Sequence, residues 1–398
     1  MKLGTSSVIV AAFVGPGTVL TCATAGIEFE YALSWVLVFS VAATFVLQSF
    51  SAGAGILARK GVGEAMREAA QHPATRTLVF VLVILGLWAG TATFQTGNLL
   101  GATAGLDSLS GGRVTQSTTL LLGAVAATIL ALNLRILTQI LTGLVALMSA
   151  VFIATMFLAP VNWEAALSGL FVPRLPLNSV VRTMALVGTT VVTYNLFLHA
   201  SAAKKYWEDE PTPKAWRREM TGMAIFLPLG GFISVAILIA GATFAPPEGG
   251  VTSIADIAPI IEPVAGNAAR LLFGLGLFAA GITSAVTAPL AAAFGIREIF
   301  DWPDEASDWR FRAIWISVLL TGLGFALAGR NPLEIIIAAQ AANGLLLPFM
   351  AGFVLLLTAR QREVTLPAWY KAVGAVVVMI TAGLGLRTLV WVWRQLGL

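Results

Sequence analysis

Two polar interruptions of apolar sequence decide how this chain is read: Val14-Gly15-Pro16-Gly17-Thr18, inside an apolar run over residues 5–26, and Thr189-Thr190-Val191-Val192-Thr193-Tyr194-Asn195, inside another over 178–202. Two glycines and a proline do not sustain an ordinary helix, because glycine is entropically costly to fix and proline lacks the N–H that helix pairing uses. The second run is polar and β-branched without a proline, a weaker signal for an unwound segment. The two interruptions lie five spans apart. Helices broken at corresponding places in two halves of a chain are how membrane transporters build a site near the bilayer midplane.

The surrounding composition supports that reading. Of 398 residues, 58% are hydrophobic and 11% charged, against roughly 25% charged in soluble domains, and the mean hydropathy is +0.87. Eleven apolar stretches near the ~20 residues a membrane-crossing helix needs lie at 5–26, 31–57, 77–105, 116–133, 136–159, 178–202, 220–245, 267–296, 311–329, 333–358 and 369–392. The expectation is an all-α polytopic membrane protein forming one transmembrane domain over 1–398. A first five-helix repeat would span 5–159, an inverted second repeat 178–358, and an extra helix 369–392, a LeuT-like arrangement with helices 1 and 6 broken. With the N-terminus cytoplasmic, seventeen of the 24 Lys and Arg residues fall on the inside and seven outside. That asymmetry places the N-terminus inside and the C-terminus outside. The opening run is not read as a cleaved signal peptide, since Gly15-Pro16-Gly17 interrupts it and no small-residue cleavage site follows.

Several function classes drop out. Cys22 is the only cysteine, so no intrachain disulfide or Cys/His metal cluster forms. The basic balance (net charge +4, pI near 9.5) is topological rather than a nucleic-acid signature. No nucleophile–base pair suggests an enzyme, no cofactor is expected, and the 11 tryptophans read as interface anchors and packing. The mixed-charge stretch from Lys204 to Arg218 reads as a solvated connector, and His72 as a loop residue without function.

The residues resemble the Nramp family of divalent-metal transporters over about 5–358. Gly15-Pro16-Gly17-Thr18, then Ala25-Gly26-Ile27-Glu28-Phe29-Glu30-Tyr31 and Leu33-Ser34-Trp35, is similar to that family's helix 1, with its Asp-Pro-Gly-Asn motif and following Gly-Ala-x-Phe-Gly-Tyr segment. Thr189 to His199 resembles its helix 6, whose core is Met-Pro-His-Asn-Leu-Tyr-Leu-His. Gln340 with Leu347-Pro348-Phe349 resembles helix 10, and Gly274 to Ser284 helix 8. The departures fall on the chemistry. In the matched frame the metal-binding Asp becomes Gly15, the Asn Thr18, the Met Val192 and the first helix-6 His Tyr194, while the acidic pair used for protons in helix 3 becomes Gln95 and Asn98. The resemblance therefore implies a divergent branch, similar to the magnesium-transporting branch that lost the soft ligand and the proton-coupling acids and is thought to hold a largely hydrated ion.

The residues by themselves place all 20 carboxylates in loops or near span edges, with Glu28, Glu30 and Glu334 closest to the membrane. Stripping water from a divalent cation in low dielectric needs compensating charge. Magnesium, which keeps several waters, suits neutral oxygens from Thr18, Thr21, Thr193, Asn195 and Gln340 with unwound carbonyls. The metal-ligand candidates are thus Thr18, Asn195 and Gln340, and the expected site comprises Gly15, Gly17, Thr18, Thr21, Val192, Thr193, Tyr194, Asn195 and Gln340. Gln95 and Asn98 are expected along a pathway or in interhelical hydrogen bonds. His199 has no acid partner evident in sequence, which favours a structural hydrogen bond over a proton relay. The function expected is transport of a divalent cation, magnesium before manganese, without tight proton coupling. The same Gly-Pro-Gly turn exposes amides at a helix N-terminus and leaves an amino acid or small organic solute as the alternative; a non-transporting sensor is the third reading. The expected partners are the lipid bilayer, of a prokaryotic-type plasma membrane, and the transported solute.

Overall fold

In hydrocarbon every backbone N–H and C=O must be satisfied inside the protein, so long apolar runs fold as helices. The computed structural model describes residues 14–69, 73–111, 113–132, 135–245, 251, 253–303, 308–328, 331–361, 363–364 and 366–395, and every regular element among them is helical. In order they are α1 (Pro16–Phe29), α2 (Ser34–Ile56), a short α3 (Val62–Ala69), α4 (Pro73–Ser110), α5 (Gln116–Leu132), α6 (Arg135–Leu158), a short α7 (Trp163–Phe171), α8 (Val180–Thr190), α9 (Thr193–Tyr206) and α10 (Thr212–Ala242). A 3-10 turn (Ala255–Ile261) and the four-residue α11 (Glu262–Ala265) lead into α12 (Ala269–Phe300), then α13 (Trp309–Ala326), α14 (Pro332–Arg360) and α15 (Ala368–Gln395).

The sixth expected span is two helices, α8 and α9, parted at Val191 and Val192. α1 begins at Pro16, one residue past Gly15; residues 5–13 of the first expected span lie outside the described residues, as do Lys2, His72 and Arg362. The third span is longer than the apolar run alone: at ~1.5 Å per residue the 38 residues of α4 measure about 57 Å, so its ends project past a ~30 Å hydrocarbon core. Seven described segments are long and apolar enough to cross a membrane, and α5 is a shorter apolar helix.

Small residues set the helix crossings, as they do where lipid tails are as apolar as the side chains and close approach must supply the attraction. α4 and α12 run together with Gly105 facing Gly274, and α8 meets α14 where Gly188 faces Gly344. α15 is peripheral: Met379, Leu386, Leu389 and Trp393 on it are exposed, as a lipid-facing helix requires.

Charged side chains tie the loops at the two ends of the bundle. At one end the Arg59 guanidinium donates to the carbonyls of Trp207 (2.7 Å) and Glu210 (3.0 Å), Lys204 pairs with Glu64 (2.7 Å), and Arg67 pairs with Asp301 (2.7 Å). The loops after the second, sixth and eighth expected spans therefore share one end. At the other, the Trp35 indole donates to the Arg174 carbonyl (2.9 Å) and Arg182 pairs with Glu28. Glu28 is thus an ion-pair partner.

Candidate functional site at the helix breaks

The break in the sixth span arises from a local conflict. Thr189, Thr190, Val191, Val192 and Thr193 are β-branched in succession, which crowds the preceding helical turn. α8 ends with Val191 at φ −98°, ψ 85°, and α9 is entered through Val192 at φ −85°, ψ 120°. In the first span Gly15 is extended (φ −87°, ψ 173°) and Pro16 opens α1, where its missing N–H costs nothing. The start of α1 touches the break in the sixth span: the Thr18 and Thr189 hydroxyls are hydrogen-bonded at 2.9 Å.

A cavity lies between them, lined by Gly15, Gly17 and Thr18 of the first span, Thr189, Val192 and Tyr194 of the sixth, Phe94 and Asn98 of α4, Ser284 of α12 and Gln340 of α14. It gives about 10 Å³ to the centre of a water molecule, room for roughly one water. The side chain of Gln340 lies across Gly17, so that a Cβ added there would run into the Gln340 amide. Over Gly15, the Ser284 hydroxyl sits 3.2 Å from where a Cβ would be. Tyr194 is buried edge-on against Phe94, with ring centroids 5.8 Å apart. Every polar group lining the cavity is a neutral hydroxyl, amide or backbone group. The N-termini of α1 and α9 both open here without side-chain caps, and their helix dipoles add positive potential.

Of the residues expected from sequence, the structure brings Gly15, Gly17, Thr18, Val192, Tyr194, Gln340 and Asn98 to this cavity. Thr21, Thr193, Asn195, Gln95 and His199 are buried but do not line it. The Thr193 hydroxyl donates to Asn343 Oδ1 (2.8 Å). Gln95 packs on Gly322 of α13 and donates to the Ala285 carbonyl (3.2 Å), an interhelical role. Three buried acceptors, Thr21 Oγ1, Asn195 Oδ1 and Gln340 Oε1, have no hydrogen-bond partner among the described residues. Of these, only Gln340 belongs to a cavity-lining residue.

Glu219 corrects the reading of His199 as lacking an acid partner. It is fully buried in the 31-residue α10, its Oε1 lies 3.0 Å from His199 Nε2, and its Oε2 accepts from the Trp207 indole at 2.6 Å. His199 does have an acid partner. Charged neighbours Arg217 and Arg218 made Glu219 read as part of a loop, although helical spacing turns it to a different face. Sequence reasoning also missed Phe94, Ser284 and Asn343. Only Asn343 left a signal, as a second amide three residues after Gln340 in an apolar helix.

A second cavity of about 750 Å³ opens at the charge-rich end between α9 and α12. It shares no residue with the central one, and it is lined by four cationic side chains (Arg59, Lys204, Lys205, Arg297) and four acidic ones (Glu64, Glu208, Glu298, Asp301). That balance selects neither sign of ligand.

Comparison with known proteins agrees with this architecture. The chain is 26% identical over 406 residues to the divalent metal cation transporter MntH of Yersinia pestis, covering 98% of this chain and 94% of that protein. It is 27% identical over 295 residues to MntH of Erwinia tasmaniensis, covering 73% and 70%. The crystal structure of a manganese transporter from Eremococcus coleocola superposes with a TM-score of 0.72 at 18% identity, over 97% of this chain and 85% of that one. MhsT in complex with L-phenylalanine superposes at 0.60 and 16% identity, over 97% and 98%. The superpositions show a LeuT-like transporter fold. A family model for natural resistance-associated macrophage protein-like sequences matches residues 6–391, and the chain belongs to the Nramp family.

Proposed function

We propose that this protein is a secondary transporter of a divalent cation, held at the helix breaks with part of its water shell, magnesium before manganese. The observation that carries the reading is the lining of the central cavity: oxygen-bearing groups from Thr18, Thr189, Ser284, Asn98, Tyr194 and Gln340, with neither carboxylate nor thioether. Neutral oxygens compete poorly with water for a bare divalent ion, and a soft metal finds no sulfur, since Val192 stands where the family has methionine. The family's metal-transporting relatives support a cation over other solutes. The cavity admits about one water as it stands, so loading requires one helix group to move against the other. The N-terminus is placed in the cytoplasm on the asymmetry of Lys and Arg.

Proteoliposomes containing the purified protein test this with magnesium, manganese, cadmium and a mixed amino-acid pool. Saturable magnesium entry, weaker manganese entry and negligible cadmium entry are expected. Ser284→Ala and Gln340→Ala should each weaken apparent affinity about ten-fold or more, since a hydrogen bond or contact to a charged group contributes ~1.5–3 kcal/mol. Strong manganese flux with a dehydrated ion against Val192 sinks the magnesium preference. No carboxylate or histidine lines the cavity, so entry should proceed without a fixed-stoichiometry pH change inside the vesicles. Such a change would contradict uncoupled transport.

A specific observation favours a second reading. The uncapped N-termini of α1 and α9 converge on the cavity, and their positive ends favour a carboxylate-bearing solute over a bare cation. Amino-acid entry without metal entry would establish it, and ligand binding without any flux would point to a sensor.

A further inference from the structure

We infer that Asn343 positions the break in the sixth span, and through it the Thr189 and Val192 edge of the cavity. In an unbroken helix the Gly188 carbonyl would accept from the N–H of Val192, and the Val191 carbonyl from that of Asn195. The break at Val191–Val192 removes both bonds. Asn343 Nδ2 supplies them instead, donating to Gly188 O at 2.7 Å and to Val191 O at 3.2 Å. Its Oδ1 accepts from the Thr193 hydroxyl at 2.8 Å. One amide thus holds the last turn of α8, the extended link and the first turn of α9. The arrangement needs a donor and an acceptor on one short side chain, which Asp, Ser or Leu does not offer in this form.

The position of Asn343 is itself fixed. It is 1% exposed and does not line the cavity, so it is a positioning residue rather than a ligand. Its neighbour Gly344 lies against α8, where an added Cβ would sit 2.8 Å from the Met184 side chain. Gln340, on the same helix and about one turn earlier, lies across Gly17 at the start of α1. α14 is therefore the common reference for the start of α1 and for the break between α8 and α9, whatever the solute. It also means that the Val191 carbonyl, freed by the break, is already engaged by Asn343 rather than open to an ion.

Amide hydrogen exchange on the full-length protein in lipid nanodiscs, paired with proteoliposome flux, tests this. The flux arm rests on the cation reading; the exchange arm does not. In Asn343→Ala, peptides covering 188–195 should exchange about ten-fold faster or more, while peptides from α12 stay as in the wild type. The KM for the transported metal should rise about ten-fold with Vmax within a factor of about three, because ordering of the site is lost while the reorientation of the helices is retained. Thr193→Ala removes one of the three bonds and should move both readouts less in the same direction; Thr193→Ser keeps the hydroxyl and should match the wild type. Unchanged exchange at 188–195 in Asn343→Ala and Thr193→Ala overturns the inference, as does faster exchange with an unchanged KM. If Asn343→Ala does not fold, the Thr193 pair decides. Wild-type protein without metal flux refutes the cation reading alone, and exchange then judges Asn343.

Discussion

Alanine at position 188 is expected to abolish transport and to lower the melting temperature by several degrees. An added Cβ at Gly188 would run into the carbonyl oxygen of Gln340 and lie 2.7 Å from the Gly344 backbone nitrogen. Both obstacles are main chain, so no side-chain rotation relieves them, and α8 and α14 must move apart. Overpacking costs typically ~1–3 kcal/mol, and a clash against two main-chain groups of one helix belongs at or above the top of that range. The separation also draws Gln340 from Gly17 and Asn343 from the break, so activity should fall further than stability. Thermal melting of purified protein in detergent, beside metal flux, measures both. Gly143→Ala is the control: Gly143 is exposed on α6 and its added Cβ meets nothing within 4 Å, so it should melt like the wild type or slightly higher. Wild-type melting and flux in Gly188→Ala would show that the α8–α14 approach is not tight in the membrane.

Removing the Glu219 carboxylate is the second large effect. Its two oxygens serve His199 and the Trp207 indole, and all three side chains are buried. Ordinary interhelical hydrogen bonds in membranes average only ~0.6 kcal/mol. A buried donor left without a partner costs ~1–3 kcal/mol, and removing this carboxylate strips a partner from both His199 and Trp207. Glu219→Ala should therefore lose about 3 kcal/mol and loosen the α9–α10 turn that Trp207 anchors. Glu219→Gln keeps an acceptor for Trp207 and a polar partner for His199, and should lose about 1 kcal/mol.

The glutamine variant also separates two roles for the pair. A brace tolerates it with flux and its pH profile unchanged, which is the expected result, because the His199–Glu219 pair does not border the cavity. Flux that collapses in Glu219→Gln while melting is preserved would make the pair part of a proton path.

Much of the fold was legible from residue order. Apolar runs long enough to span hydrocarbon predict helices because the bilayer leaves no other way to pair the backbone. The start of α1 at Gly15-Pro16-Gly17 was legible because glycine and proline act on their own φ and N–H, and the β-branched run at 189–193 hinted at the break in the sixth span for a similarly local reason. The family motifs pointed to the candidate site, and Gly15, Gly17, Thr18, Val192, Tyr194 and Gln340 border one cavity.

What the order of residues left open was which polar groups meet. In α14 the helix is apolar on nearly every side, so no periodic stripe marks the face on which Asn343 lies, and its partners are 150 to 155 positions away in sequence. Ser284 lies over Gly15, and Glu219 meets His199 across 20 residues and a loop that resembles a plain charged connector. Thr193 and Asn195 sit in the right motif yet do not line the cavity. Local propensity decides where a helix starts, stops and breaks, because those energies belong to neighbouring residues. Which donor faces which acceptor depends on how helices rotate and approach, and here that was settled by small residues such as Gly188 and Gly344 allowing two backbones to touch.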